Sequence, residues 1–191
     1  MLCINCNSDR VMKYGVRVNK QGNNSQRYFC NSCNKEFSVR DDRGWDKDIR
    51  RAIVTPDKHF PYEDKPAINA LIKAIKLVSP SIYVDLGDVG EWESVSQWRW
   101  KRKKRPPLEY MIPDIEKEIK AVNAGMDKID HALNEVKCDE RHFIEGNHDN
   151  WLNRFVEGYP YLAQYRLKTA IKLDERGYTY HPFGKFLKIG K

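Results

Sequence analysis

Four cysteines in two pairs, Cys3/Cys6 and Cys30/Cys33, each with two residues between partners, constrain this chain more than any other feature. Thiolates at that spacing both reach one ion from a tight knuckle, so two pairs supply the tetrahedral sulfur set of a structural zinc site. Residues 1–40 are rich in Asn, Ser and Lys and poor in aliphatic side chains. Such a segment buries too little apolar surface to fold unaided and needs a staple. The predicted module is a β-ribbon in which Tyr14-Gly15 offers a turn and Gln26-Arg27-Tyr28-Phe29 runs into Cys30. Tyr28, Phe29 and Phe37 are then a miniature core that shields the metal. The fifth cysteine, Cys138, falls at the end of a predicted helix and reads as a small buried apolar group.

The 191 residues leave room for one ordinary domain behind this module, and 40% hydrophobic with 12% aromatic content is a folded composition. Residues 41–50 are charged and contain a glycine, and read as a linker. The second domain is expected over 51–191. It opens with the β-branched run Ala52-Ile53-Val54-Thr55, then a helix marked by Ala67, Ile68, Leu71, Ile72, Ile75 and Val78 and stopped by Ser79-Pro80. Ile82-Tyr83-Val84-Asp85-Leu86 is the next strand, which makes a right-handed βαβ unit with a parallel sheet. After Pro113, Ile115, Ile119, Val122, Met126, Ile129, Leu133 and Val136 form one apolar stripe. The stripe suits a helix lying on the sheet, with a short coiled-coil seam as the alternative. His142-Phe143-Ile144-Glu145 reads as a further strand, residues 161–172 as a helix, and residues 178–189 as two short strands joined around Pro182-Phe183-Gly184. No stretch is long and apolar enough for a signal peptide or a membrane span, so no membrane association is expected. The formal charge of +7 favours polyanions as partners.

Three clusters each follow a predicted buried strand: Asp57-Lys58-His59, Gly87-Asp88 and Gly146-Asn147-His148-Asp149. Strand ends are where such sheets gather chemistry. Imidazole and carboxylate together suit a divalent transition metal, and one aspartate can bridge two ions. Each piece alone has a plainer reading, Asp88 as a turn cap and Asp57 as an N-cap or loop residue. Asp149 is expected to orient the His148 loop rather than to bind metal, and Asp85 to be a buried hydrogen-bonded carboxylate.

In order and spacing the series resembles the calcineurin-like metallophosphoesterases, whose pattern is Asp-X-His, then Gly-Asp, then Gly-Asn-His-Asp/Glu. The match covers residues 51–191, and Asp57-Lys58-His59-Phe60-Pro61 is similar to the opening of phage and prophage members. The resemblance implies an α/β fold, a metallophosphoesterase-type β-sandwich flanked by helices, behind the zinc ribbon. It implies two divalent ions, Mn, Fe or Zn, with Asp57 and His59 on the first, Asp88 bridging and Asn147 on the second. His148 would meet the phosphate or protonate the leaving oxygen. The implied reaction is in-line attack by metal-activated water on a phosphodiester or monoester, in the cytoplasm of a bacterial or phage-infected cell. The family also uses a further His and a Gly-His-X-His element, which this sequence lacks before Gly190-Lys191; His181 is the one downstream histidine. The chain therefore reads as cut short, with weak or absent activity expected of it and full activity of a longer version.

Gln26-Arg27-Tyr28-Phe29-Cys30-X-X-Cys33 with Phe37 resembles the zinc ribbons of insertion-sequence transposase accessory proteins, which bind DNA. That implies nucleic-acid contact through Arg27; a purely structural zinc is the alternative. Trp98, Arg99, Trp100, Lys101, Arg102, Lys103, Lys104 and Arg105 interleave six cations with two indoles. The run suits a nucleic-acid backbone with stacked bases, or is simply a solvated loop. Hydrolysis of nucleic-acid phosphodiesters is the expected function. The rival is a DNA-binding or regulatory zinc-ribbon protein whose phosphoesterase domain is inactive. Oligomeric state is open.

Overall fold

A computed structural model describes residues 2–18, 24–39 and 50–189. The expected linker lies almost wholly outside them. The chain divides into two compact units, Met1–Ile49 and Arg50–Lys191.

In the first unit, β1 (Val11–Val18), β2 (Asn24–Cys30) and β3 (Lys35–Val39) form an antiparallel sheet in that order. Because side chains alternate along a strand, Tyr28 and Cys30 share one face with Phe37, where Cys3, Cys30 and Phe37 are buried. The Tyr28 and Phe37 rings stack at 5.8 Å. The same alternation sends Phe29 to the other face, against Tyr14 at 5.8 Å, so Phe29 does not shield the cysteines as the sequence suggested. Nor is Tyr14-Gly15 a turn. Gly15, at φ +96°, sits in an irregularity of β1 between Lys13 and Val16, which only a residue without Cβ adopts freely.

The second unit is built on a parallel sheet in which strand order follows the sequence: β4 (Ala52–Thr55), β5 (Ile82–Asp85), β6 (Glu140–Ile144), β7 (Tyr178–His181). α1 (Lys65–Val78) connects β4 to β5. Asp64 caps it by accepting from the Ala67 N–H at 3.1 Å, Pro66 lies in its first turn, and Ser79 ends it in the left-handed region. α2 (Leu108–Glu135) connects β5 to β6. It presents Ile115, Val122, Met126, Ile129 and Leu133, all buried, to Tyr83 and Phe143 of the sheet in one core. Burying each such side chain contributes about 1.5–3 kcal/mol. The stripe therefore lies on the sheet. α2 starts earlier than the sequence suggested, at Leu108, with Pro113 inside it. Proline there costs the helix one early hydrogen bond, which the deep burial of the stripe below it outweighs.

Beyond β6, α3 (Asn147–Glu157) is followed by a 3-10 segment, Pro160–Tyr165, and a single turn, α4 (Leu167–Ala170), so the expected helix over 161–172 is broken. The break falls where the Leu167 N–H turns to the Asn153 side chain, at 3.0 Å, instead of to a helical carbonyl. After β7, residues 182–189 form no strand, and the second of the two strands expected there is absent. Cys138 is buried, and burial raises its thiol pKa. Among the described residues no helix is long and apolar enough to cross a membrane.

Candidate metal centre

The loops leaving β4, β5 and β6 meet at the carboxyl end of the sheet. The first two run side by side: the Asp57 N–H donates to Gly87 O at 3.2 Å, those of Lys58 and His59 to Asp88 O at 3.0 Å each, and that of Phe60 to Val89 O at 2.9 Å. Asp57, His59 and Asp88 all hold left-handed backbone, at φ +49°, +48° and +48°. Non-glycine residues adopt that region at a cost, and three of them in one cluster mark a geometry fixed by its surroundings.

Beneath this pair of loops, Lys58 Nζ donates to Asp85 Oδ1 at 2.9 Å and to Thr55 O at 3.3 Å, with both ion-pair side chains 2% exposed. Asp85 Oδ1 also accepts from the Gly87 N–H at 3.1 Å. Burial raises the Asp85 pKa, and the Lys58 charge opposes that rise. The pair thus ties the Asp57–His59 loop to the Asp88 loop from below. Replacing Lys58 with methionine leaves Asp85 buried without a counter-charge; a stability loss of about 3–5 kcal/mol is expected in urea unfolding.

The third loop comes closest. A Cβ on Gly87, itself at φ +87°, would fall 2.2 Å from Gly146 N, and one on Gly146 would fall 2.2 Å from Asp88 Oδ1. Only glycine fits at both positions. At the start of α3, the His148 N–H donates to Asp88 Oδ1 at 2.7 Å. Asp149 is fully buried and accepts from the Asp88 N–H at 2.7 Å, the Gly146 N–H at 3.2 Å and Trp92 Nε1 at 2.9 Å. Burial pushes its carboxyl pKa up to about 7 against the pull of those donors. With its oxygens so engaged, Asp149 orients the two loops.

The side chains brought together are Asp57, His59, Asp88, Asn147 and His148, with Glu91, which sequence reasoning missed. Ligand atoms of Asp57, His59 and Asp88 lie within 4.8 Å of one another, and so do those of His59, Glu91 and His148. Glu91 leaves no periodic signal, since it follows Asp88 by three residues in a loop; the one hint is its place in Gly90-Glu91-Trp92.

The donor set, imidazole with carboxylate, fits a divalent cation, and one atom of it is orphaned. His59 Nδ1 is buried with no hydrogen-bond partner, although Glu91 Oε2 stands 2.8 Å away, off the line along which that nitrogen could donate. Donor atoms packed that tightly without a hydrogen bond are how ligands crowd around one ion. With its amide turned so that both ends are paired, Asn147 donates to Asp88 Oδ2 at 3.3 Å and accepts from the His148 N–H at 3.2 Å, which sets it beside Asp88. A neutral imidazole has one lone pair, so His59 can serve only one of the two groups it belongs to. His148 meets Glu91 O through Nδ1 at 3.0 Å and rests on Trp151 at 4.0 Å between ring centroids, which leaves Nε2 without a protein partner among the described residues. His181 belongs to neither group, and its Nε2 lies 3.1 Å from His142 Nδ1.

In the ribbon, the four cysteine sulfurs lie within 4.8 Å of one another, with Cys3–Cys33 at 3.7 Å and Cys6–Cys30 at 3.6 Å. A tetrahedral zinc with Zn–S near 2.3 Å sets its sulfurs about 3.8 Å apart. The cluster is compatible with that ion. Burial raises the Cys30 thiol, but the N–H groups of Cys33 and Ser32 and the neighbouring thiols bring it down to about 6. Arg27 pairs with Glu36, its guanidinium 5.4 Å above the Tyr14 ring.

Residues 98–103 form turns, with Trp98 70% exposed. Arg99 pairs with Glu93 at 3.0 Å and packs on Trp100, whose Nε1 donates to Ser94 O at 2.8 Å; Lys101 sits over Trp98 and Arg105 over Phe155. Arg102, Lys103 and Lys104 make no ion pair among the described residues and are exposed.

No family model, curated protein or solved structure matches the chain.

Proposed function

We propose that this protein hydrolyses phosphoesters, with nucleic-acid phosphodiesters as the substrate class, at two divalent ions held by Asp57, His59, Asp88 and Asn147. The observation that carries the reading is the convergence of three strand-end loops on one cluster of imidazole and carboxylate donors, with the Asn147 amide beside Asp88 and the buried His59 Nδ1 without a hydrogen-bond partner. On this reading the parallel sheet belongs to a calcineurin-like metallophosphoesterase fold, and the four-cysteine module is a zinc ribbon.

Divalent ions in such a site offset the charge of a phosphoryl group and lower the pKa of water. The chain's own residues do the rest. Asp88, held by the His148 N–H, keeps a carboxylate between the Asp57/His59 pair and Asn147. His148, with Nδ1 fixed on Glu91 O, offers Nε2 to the leaving oxygen as its proton source. The amino-terminal end of α3 adds a partial positive charge where an anion would lie. Arg102, Lys103 and Lys104 on the exposed turn supply phosphate contacts.

The test is hydrolysis of bis(4-nitrophenyl) phosphate by the whole chain. Slow turnover that needs Mn, Fe or Zn and stops with EDTA is expected, because this sequence lacks the family's Gly-His-X-His element; no turnover with any of the three would refute an active enzyme in this chain. Salt-sensitive DNA binding that survives such a failure and vanishes in Cys30→Ser would instead support a DNA-binding protein with an inactive phosphoesterase domain. Changing Arg102, Lys103 and Lys104 to glutamine is expected to flatten the dependence of log affinity on log salt for duplex DNA. The slope should drop by about 0.9 for each phosphate contact removed.

A further inference from the structure

A cavity of ≈ 320 Å³ opens beside the metal centre, lined by Pro61, Tyr62, Glu93, Arg99, Asp114 and Lys117 among others. Its walls continue directly from the segments that carry His59 and Glu91, since Tyr62 and Glu93 follow them by three and two residues. The volume falls at the small end of the range for ligand sites, roughly 300–1,000 Å³.

The lining decides what the cavity can take. Glu93, Asp114 and Glu118 set three carboxylates against the two cations Arg99 and Lys117, and Arg99 is already paired with Glu93. A second anionic group is therefore disfavoured. Five charged side chains likewise disfavour a purely apolar ligand. Most of the polar lining is in use: Tyr62 donates to Glu93 at 3.3 Å, and Glu118 accepts from the Ser94 N–H at 3.1 Å and from the Ser94 hydroxyl. Asp114 and Lys117 are the exceptions. They lie three residues apart on one face of α2, both line the cavity, and neither side chain enters a hydrogen bond or ion pair among the described residues. An unused acceptor beside an unused donor, with a 66% exposed tyrosine ring at the same opening, matches a flat, uncharged group whose edge carries both N–H and C=O.

We infer that this cavity is a nucleobase subsite: the base stacks on Tyr62 and presents its hydrogen-bonding edge to Asp114 and Lys117. The inference deepens the phosphoesterase reading and rests on it for the phosphate, which would sit at the metal centre while the attached base occupies the cavity. Base binding itself needs no metal, and that separates the two in experiment.

Calorimetric titration of the whole chain in EDTA with guanosine, adenosine and ribose tests it. At least one nucleoside is expected to bind at least about tenfold more tightly than ribose, and Tyr62→Ala and Asp114→Ala are each expected to remove most of that advantage. Two variants on different elements guard against a local misfolding of one. Nucleosides that bind no better than ribose, or an advantage that both variants retain, would overturn the subsite. Nucleoside binding without metal-dependent turnover would leave the subsite standing and refute the hydrolase; turnover without nucleoside preference would do the reverse.

Discussion

Asp88→Asn is expected to weaken Mn binding by at least about a hundredfold while leaving the metal-free fold nearly as stable as before. Asparagine is the same size and keeps an oxygen for the His148 N–H that Asp88 Oδ1 now accepts at 2.7 Å, so the loop has no reason to open. What is lost is one negative charge from the residue placed between the Asp57/His59 and Asn147 donors. A carboxylate shared by two cations contributes several kcal/mol, and about 2.7 kcal/mol is already a hundredfold. Calorimetric Mn titration beside urea unfolding in EDTA measures both quantities. An affinity within about threefold of the parent would show that Asp88 touches no ion.

The second large effect belongs to the ribbon. Removing zinc with a strong chelator, or substituting Cys30→Ser, is expected to unfold β1, β2 and β3 altogether and leave the parallel sheet intact. Among the described residues the buried core of that unit is Cys3, Cys30 and Phe37, with Val11, Tyr28 and Cys33 packed against it, far too little to offset the entropy of ordering the segment. Zinc bound by four thiolates supplies on the order of 10 kcal/mol or more, and in a module with so small a core that binding energy would be the folding energy. Amide spectra resolve the two units: dispersed signals from Tyr28 and Phe37 should collapse on chelation, while those of Tyr83 and Phe143 stay put. Dispersed Tyr28 and Phe37 signals in verified zinc-free protein would refute a metal-stapled ribbon.

Much of this architecture is legible from local pattern alone. The apolar stripe of α2, the Ser79-Pro80 stop after α1 and the β-branched runs of β4 and β5 are each a periodicity or a breaker acting over a few residues. The features that escaped are decided elsewhere in the molecule. Pro113 looks like a helix start and is overridden by the burial of Ile115 and Val122. Gly15 looks like a turn and is a strand irregularity because β2 pairs on both sides of it. Residues 161–172 carry a helical pattern, but Asn153, on another helix, takes the N–H that would continue it.

The site divides along the same line. Its strand-end motifs could be placed because glycine, aspartate and histidine after a buried strand are short-range signals. Glu91 could not, since only the folding of the Asp88 loop against His59 and His148 turns it inward. The Lys58–Asp85 pair also escaped, because no spacing rule joins a loop lysine to a strand carboxylate 27 residues away.

The most direct test is anomalous diffraction at the manganese edge from crystals of the whole chain grown with Mn. Two peaks roughly 3.5–4 Å apart, within bonding distance of Asp57, His59, Asp88 and Asn147 and with Asp88 touching both, are the expected result. Peaks confined to other carboxylates, or none between the three loops at saturating metal, would contradict the two-ion site and the hydrolase built on it.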